Sequence, residues 1–176
     1  MSSTRILILG QLLEGPMNGY QVRRSLERMG ADQWSNVAFG SIYHGLSKME
    51  AEGLLEVVEG GKGGRTVYQI TEAGRREFQL LITMAWYKVE PIIDPFQVAL
   101  TFMDHLPKEE LITALEARIG QLKGSIKGTE GIIGRKQAYG APRHIDENLR
   151  LTIGMLRTQL AWAEEAIKQV EADELP

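Results

Sequence analysis

Residues 54–70 carry the feature that most narrows what this chain can become. Two runs of β-forming residues, Leu54 to Glu59 and Thr66 to Ile70, flank Gly60-Gly61-Lys62-Gly63-Gly64-Arg65. Glycine accepts backbone conformations closed to other residues, so four glycines between strand-like runs predict a hairpin with a mobile tip. On both sides of it the apolar residues recur at helical spacing. The expected fold is therefore mainly α with one small β-hairpin.

Three helix patterns precede the hairpin. The first, Arg5 to Leu13, repeats Ile6, Leu9 and Leu13, with Ser3 or Thr4 as cap, and Gly15-Pro16 ends it. The second opens on Asn18, with Gln21 three residues on as the other half of a capping box and Met17 and Val22 placed as a hydrophobic staple. Its stripe is Val22, Leu26 and Met29, and Gly30 stops it. A linking stretch, 31–38, holds Trp34. The third helix, about Gly40 to Glu52, turns Ile42, Leu46 and Met49 inward and shows Ser41, Tyr43, His44, Ser47 and Lys48 outward. After the hairpin, Thr71 caps a long helix from Glu72 to about Glu90.

Composition shifts at Pro91 to Pro95, and beyond it no strand signal recurs. Phe96 to His105 reads as one short helix. Ile112, Leu115, Ile119, Leu122 and Ile126, then Thr129 and Ile133, step by three and four. After a loop with Gly140 and Pro142, Leu149, Ile153, Leu156, Leu160, Ala163, Ile167 and Val170 do the same. Two heptad segments joined by a loop form a helical hairpin, each with an apolar seam suited to a partner helix. Gly120, Gly124 and Gly128 share one face and read either as tolerated surface glycines or as a place of close helix approach. The expected division is residues 1–88 and 89–176.

Catalysis and metal binding find no residues to work with. The chain has no cysteine, and its three histidines, His44, His105 and His144, lack ligand spacing. Glu109-Glu110 and Glu164-Glu165 are neighbours on helices and face different ways, which is no acid–base pair. The glycine-rich run lies between strands rather than before a helix and lacks the phosphate-loop pattern. The expectation is a non-enzyme without cofactor. The start lacks the pattern of an export signal and the apolar region 80–103 is interrupted by charge and proline, so a cytoplasmic protein is expected.

Three helices and then a hairpin is the element order of a winged helix-turn-helix. Such a domain lays one helix in the major groove and lets the hairpin follow the backbone, here with Lys62 and Arg65 directed at phosphates. An α+β domain with an ordinary glycine turn fits the same pattern. Charge argues against the first reading: residues 1–78 hold nine Lys+Arg and nine Asp+Glu, without the basic excess expected at nucleic acid.

Four fragments in order favour the winged helix. Asn18-Gly19-Tyr20 opening a helix, Gly40-Ser41-Ile42-Tyr43 with Leu46, Glu52-Gly53-Leu54, and Tyr68-x-Ile70-Thr71-Glu72-Ala73-Gly74-Arg75 resemble the PadR family of bacterial transcriptional regulators. Asp94-Pro95-Phe96 through Leu106-Pro107, followed by two long helices, resembles the family's larger subgroup. The resemblance implies an N-terminal winged helix-turn-helix and a C-terminal helical hairpin that dimerises through Ile112, Leu115, Ile119, Leu122, Ile126, Leu149, Ile153, Leu156, Leu160 and Ile167. It implies a homodimeric, sequence-specific repressor of double-stranded operator DNA. The DNA residues would be Asn18, Tyr20, Ser41, Tyr43, His44, Ser47, Lys48, Lys62 and Arg65. Members respond to small aromatic or hydrophobic compounds, which here would meet Trp34, Trp86, Tyr87, Phe96 and Trp162, unless those rings only pack. One departure stands out: His44-Gly45 follow Tyr43 where the family often has Pro-Ala. The rival reading is a protein-interaction module using the winged helix and the coiled-coil-like helices as a scaffold.

Overall fold

The computed structural model describes residues 3–35, 37–60, 66–135, 138 and 143–176. They fall into two compact units, Met1–Pro91 and Ile92–Pro176. The first unit runs α1 (Ser3–Leu12), β1 (Met17–Asn18), α2 (Gly19–Met29), α3 (Ala31–Trp34), α4 (Ser41–Ala51), β2 (Leu55–Glu59), β3 (Val67–Ile70) and α5 (Glu72–Tyr87).

The caps are where the local chemistry places them. Asn18 Oδ1 accepts from the Gln21 N–H at 3.0 Å, while the Asn18 N–H donates to Gln21 Oε1 at 2.9 Å, so the capping box of α2 closes. Gly30, at φ 69°, ends α2 in the left-handed conformation that costs glycine little. Thr71 Oγ1 accepts from the Gly74 N–H at 3.1 Å and donates to the Gly53 carbonyl at 2.8 Å, joining the start of α5 to the entry of β2. A Cβ on Gly74 would stand 2.2 Å from the Leu54 carbonyl oxygen, so this approach requires glycine.

The expected hairpin forms from β2 and β3, and β1 adds to it a third antiparallel strand in the order β1-β3-β2. Met17 pairs with Tyr68, and Val57 pairs with Tyr68 from the other side. Two residues are too few to show a period of two, so β1 leaves no pattern in the sequence. The link 31–38 likewise contains the short α3, and α5 stops at Tyr87 rather than Glu90.

One core holds the unit together: Ile8, Leu9 and Leu12 of α1, Val22 and Leu26 of α2, Ile42, Leu46 and Met49 of α4, Leu55 and Ile70 of the sheet. The stripe expected on α1 is rotated. Ile8 and Leu12 are buried, Ile6 is half-buried and Leu13 is exposed. Residues 6–9 and 12 of α1 and Leu13 just after it are all apolar, so spacing alone does not tell which arc faces α4 and α5.

The second unit holds α6 (Phe96–Thr101), a 3-10 turn at Met103–His105, α7 (Lys108–Glu130), a 3-10 turn at Arg143–Asp146 and α8 (Glu147–Glu171). The single helix expected over 96–105 is thus broken at Phe102. α7 and α8 pack on each other as a hairpin. Leu111 and Leu115 meet Ala163, Ala166 and Val170. Lys123–Glu164 at 2.8 Å and Arg157–Glu130 at 2.6 Å bridge the two helices outside that core. The buried Asp146 accepts from the Gly134 N–H at 3.0 Å, where Gly134 turns with φ 81°.

Candidate nucleic-acid interface

α4 is two-faced by spacing, and the packing follows it. Ile42, Leu46 and Met49 are buried, while Tyr43, His44, Ser47 and Lys48 are exposed. Ser41 starts the helix by donating its hydroxyl to the Ala38 carbonyl at 2.7 Å. The exposed face has two flanks. Tyr43 and Ser47 look into an open groove of about 750 Å³ shared with Asn18, Tyr20, Gln21, Thr66 and Tyr68. Ser41, His44 and Lys48 border a smaller one of about 230 Å³ with Thr4 and Arg5. The start of α2, the sheet and the start of α1 therefore rim one helix face.

Two glycines seat that helix. A Cβ on Gly19 would lie 2.7 Å from Cδ1 and Cε1 of Tyr43, so the tyrosine ring rests directly on the first residue of α2. A Cβ on Gly45 would lie 2.7 Å from Ile8 Cδ1, which brings α4 close to α1. The departure at His44-Gly45 thus leaves α4 helical, with Gly45 against the core and His44 outside.

Among the residues expected at DNA, Asn18 is committed to its cap through Oδ1, leaving its amide N–H groups as donors. Tyr20 is 63% exposed and Tyr43 47%. The Ser47 hydroxyl donates back to the Tyr43 carbonyl at 3.3 Å and keeps its acceptor capacity. Lys62 and Arg65 lie outside the described residues.

Ion pairing draws part of the nine-to-nine charge balance together. Arg5 reaches Glu52 at 2.5 Å and Glu77 at 3.1 Å. The hydrogen bond from Arg5 holds the Glu52 carboxyl below its usual range, and in return Glu52 raises the Arg5 guanidinium. Arg23 binds Glu27 at 2.7 Å and lowers that carboxyl in the same way. Three acids are therefore held by two arginines, Arg5 on the rim of the smaller groove and Arg23 on α2. Arg28, Lys48 and Arg75 have no ion-pair partner among the described residues of the unit. Glu14, Asp32, Glu50, Glu56 and Glu59 have none either, so pairing leaves no basic excess among the described residues of the unit.

The aromatic residues separate into two groups. In the second unit Phe96 meets Trp162 edge to face, with centroids 5.6 Å apart, and the Arg118 guanidinium lies 3.4 Å over the Phe96 ring. Arg118 also donates to Gln159 at 2.9 Å, and Gln159 donates to Asp94 at 3.2 Å. In the first unit Trp34 is 38% exposed and Trp86 and Tyr87 are nearly bare, with no ring contact among the described residues. The heptad seam is largely spent within the hairpin. Leu115, Leu122, Ile126 and Ile153 are buried, and Ile112, Ile119, Leu149, Leu156, Leu160 and Ile167 are half-buried. The apolar residues that α8 leaves exposed are Leu151, Met155 and Trp162, which the heptad reading passed over. Their spacing of four and seven was the signal available.

Among the described residues no group of three or more His, Cys, Asp or Glu side chains could hold a metal, and no helix is long and apolar enough to cross a membrane.

A helix rimmed by a helix start and a short antiparallel sheet defines a winged helix-turn-helix protein, here with a C-terminal helical hairpin. Residues 8–80 match the model of the transcriptional regulator PadR-like family. Over 183 aligned residues it is 21% identical to the negative transcriptional regulator PadR of Bacillus subtilis, covering 98% of this chain and all of that one. The crystal structure of Bacillus subtilis PadR with operator DNA is similar in fold, with a TM-score of 0.76 at 20% identity, over 97% of this chain and 98% of that one. The same protein with p-coumaric acid gives a TM-score of 0.75 at 20% identity, over 95% and 98%.

Proposed function

We propose that this transcriptional regulator is a homodimeric repressor that reads duplex operator DNA with α4 and is released by a small aromatic compound. The observation that carries the reading is the face of α4: Tyr43, His44, Ser47 and Lys48 exposed together, seated on α1 and α2 by Gly45 and Gly19. A major groove admits one helix, and short polar side chains on it reach base edges. Lys62 and Arg65 of the hairpin tip are assigned to backbone phosphates. Structures of similar fold contain operator DNA in one case and p-coumaric acid in another, which supports both halves of the proposal. The apolar residues left on α8 and the half-buried heptad positions support pairing of two copies through the second unit, and two-fold pairing requires a pseudo-palindromic site.

The test is selection of duplexes from a random pool, followed by a gel shift. Replacing His44 or Ser47 by Ala should cost on the order of 1–3 kcal/mol on the selected duplex and little on a scrambled one. Equal loss on both duplexes would remove α4 as the reader.

A further inference from the structure

The chain enters the second unit through a small cluster of side chains that stands outside that unit's core. Asp94 Oδ1 accepts from the N–H of Phe96, the first residue of α6, at 2.9 Å, and Asp94 Oδ2 accepts from Gln159 Nε2 of α8 at 3.2 Å. Arg118 of α7 donates to Gln159 at 2.9 Å, stands 3.9 Å from Asp94 and lays its guanidinium 3.4 Å over the Phe96 ring. Trp162 of α8 meets that ring edge to face. Phe96 is thus held by both helices of the helical hairpin. The Nε of Arg118 is buried without a hydrogen-bond acceptor among the described residues, so the face of the Phe96 ring compensates this guanidinium where no oxygen does. None of these residues belongs to the core that joins α7 to α8.

Ahead of the cluster, residues 88–93 take no helix or strand, and Val89, Ile92 and Ile93 are exposed. Behind it, Met103 is the next residue packed on the core of α7 and α8. We propose that Asp94, Phe96 and Arg118 form a latch that keeps the tether of each reading unit short, and so sets how strongly two tethered units cooperate on one duplex. The proposal rests on the homodimer and the DNA reading assigned above. With the latch closed the tether is residues 88–93; with it open the tether is residues 88–102. Two linked binding modules raise each other's effective concentration, which falls roughly as the −3/2 power of tether length. A tether roughly 2.5-fold longer therefore lowers it about fourfold. The three are positioning residues: they act through the length of free chain, not through the duplex.

The experiment compares binding to a duplex selected from a random pool with binding to the same duplex after one half-site is scrambled. The proteins are the full-length wild type, Phe96→Ala, Arg118→Leu, and a chain with nine Gly and Ser residues inserted after Pro91, each followed by sedimentation. The insertion leaves the latch intact and gives the tether its open length. All three altered proteins should stay dimeric, bind the single half-site like the wild type, and lose about fourfold of the preference for two half-sites. Phe96→Ala placed in the inserted chain should cost only about a further twofold, because the same lengthening is a smaller fraction of a longer tether. An unchanged preference in Phe96→Ala and Arg118→Leu, with the insertion still lowering it, would overturn the latch and leave the tethered dimer standing. Loss in the two variants but none in the inserted chain would show that tether length is not the cause, and the latch would fail. Equal loss on both duplexes, or dissociation to monomers, would assign the cluster to stability or assembly and overturn it as well. A wild type with no preference for two half-sites would sink the dimeric reading on which the latch rests.

Discussion

Gly19→Ala is expected to damage DNA binding through a residue it does not itself replace. The added Cβ would stand 2.7 Å from two ring carbons of Tyr43 and 3.2 Å from Leu46 Cδ1. Carbon atoms in contact prefer roughly 3.5–4.0 Å, so the ring must retreat by about 1 Å. A tyrosine ring cannot bend, so the whole ring swings and its hydroxyl moves at least as far. In the fold, overpacking costs about 1–3 kcal/mol. In binding, if Tyr43 reaches DNA, its displaced contact is worth about a further 1–3 kcal/mol, or roughly 5- to 150-fold in Kd. The assay is a double-mutant cycle with Tyr43→Ala on the selected duplex, with urea unfolding run alongside. In the Tyr43→Ala background Gly19→Ala should cost much less, because the two ring carbons at 2.7 Å are gone and only the 3.2 Å approach to Leu46 Cδ1 remains. Strictly additive losses, or a Gly19→Ala protein that binds like the wild type, would refute the argument that Gly19 sets the position of Tyr43.

Three further outcomes are expected. Gly74→Ala should destabilise the first unit by about 2 kcal/mol or more in urea unfolding, since its Cβ meets the Leu54 carbonyl oxygen at 2.2 Å and backbone rather than a side-chain tip must move. Deleting residues 145–176 should give a monomer by sedimentation and abolish binding to the selected duplex; a truncated chain that stays dimeric would place the interface elsewhere. The Glu52 carboxyl is lowered by Arg5, so its contribution to stability is full above the ordinary carboxylate value and fades as pH falls through the lowered one. Glu52→Gln should therefore unfold more easily at neutral pH and show a shallower loss of stability on acidification, measured by urea midpoints across pH.

What was legible in the sequence was chemistry that acts over a few residues. The capping box at Asn18 and Gln21, the cap at Thr71 and the stop at Gly30 each depend on atoms three or four positions apart, and all three close as the residues suggest. The two faces of α4 were legible for the same reason, since a mixed helix has only one way to bury Ile42, Leu46 and Met49. α1 shows the limit. With Leu7, Ile8, Leu9, Leu12 and Leu13 all apolar, its buried arc is chosen by α4 and α5, which are remote in sequence. β1 is a strand only because Tyr68 and Val67 arrive beside Met17 and Asn18. The heptads announced a helical seam but not its partner, and much of that seam is used inside the hairpin, where Leu115 meets Ala163 and Ala166.

Charge was the least legible property, because a sum over residues has no geometry. Nine cations and nine anions suggest a surface indifferent to nucleic acid. Folding pairs Arg5 with Glu52 and Glu77, and Arg23 with Glu27, so carboxylates are withdrawn by arginines that also brace α1 against α5 and stiffen α2. Among the described residues Arg28 on α2 and Lys48 on α4 have no ion-pair partner, and neither do Glu14, Asp32, Glu50, Glu56 and Glu59, so what folding decides is where charges stand rather than their sum. The same division of labour governs α4 itself. Gly19 and Gly45 fix where the helix sits, and its core residues are buried to 2% exposure or less. His44, Ser47 and Lys48 carry none of that load. If α4 reads bases as proposed, substitution at those three positions can change the preference without altering the seat of the helix. Tyr43 is bound to both tasks, since its ring packs on Gly19 while its other side faces the groove. It follows that operator preference in proteins of this design should vary through His44, Ser47 and Lys48, whereas changes at Tyr43 should alter affinity and helix placement together.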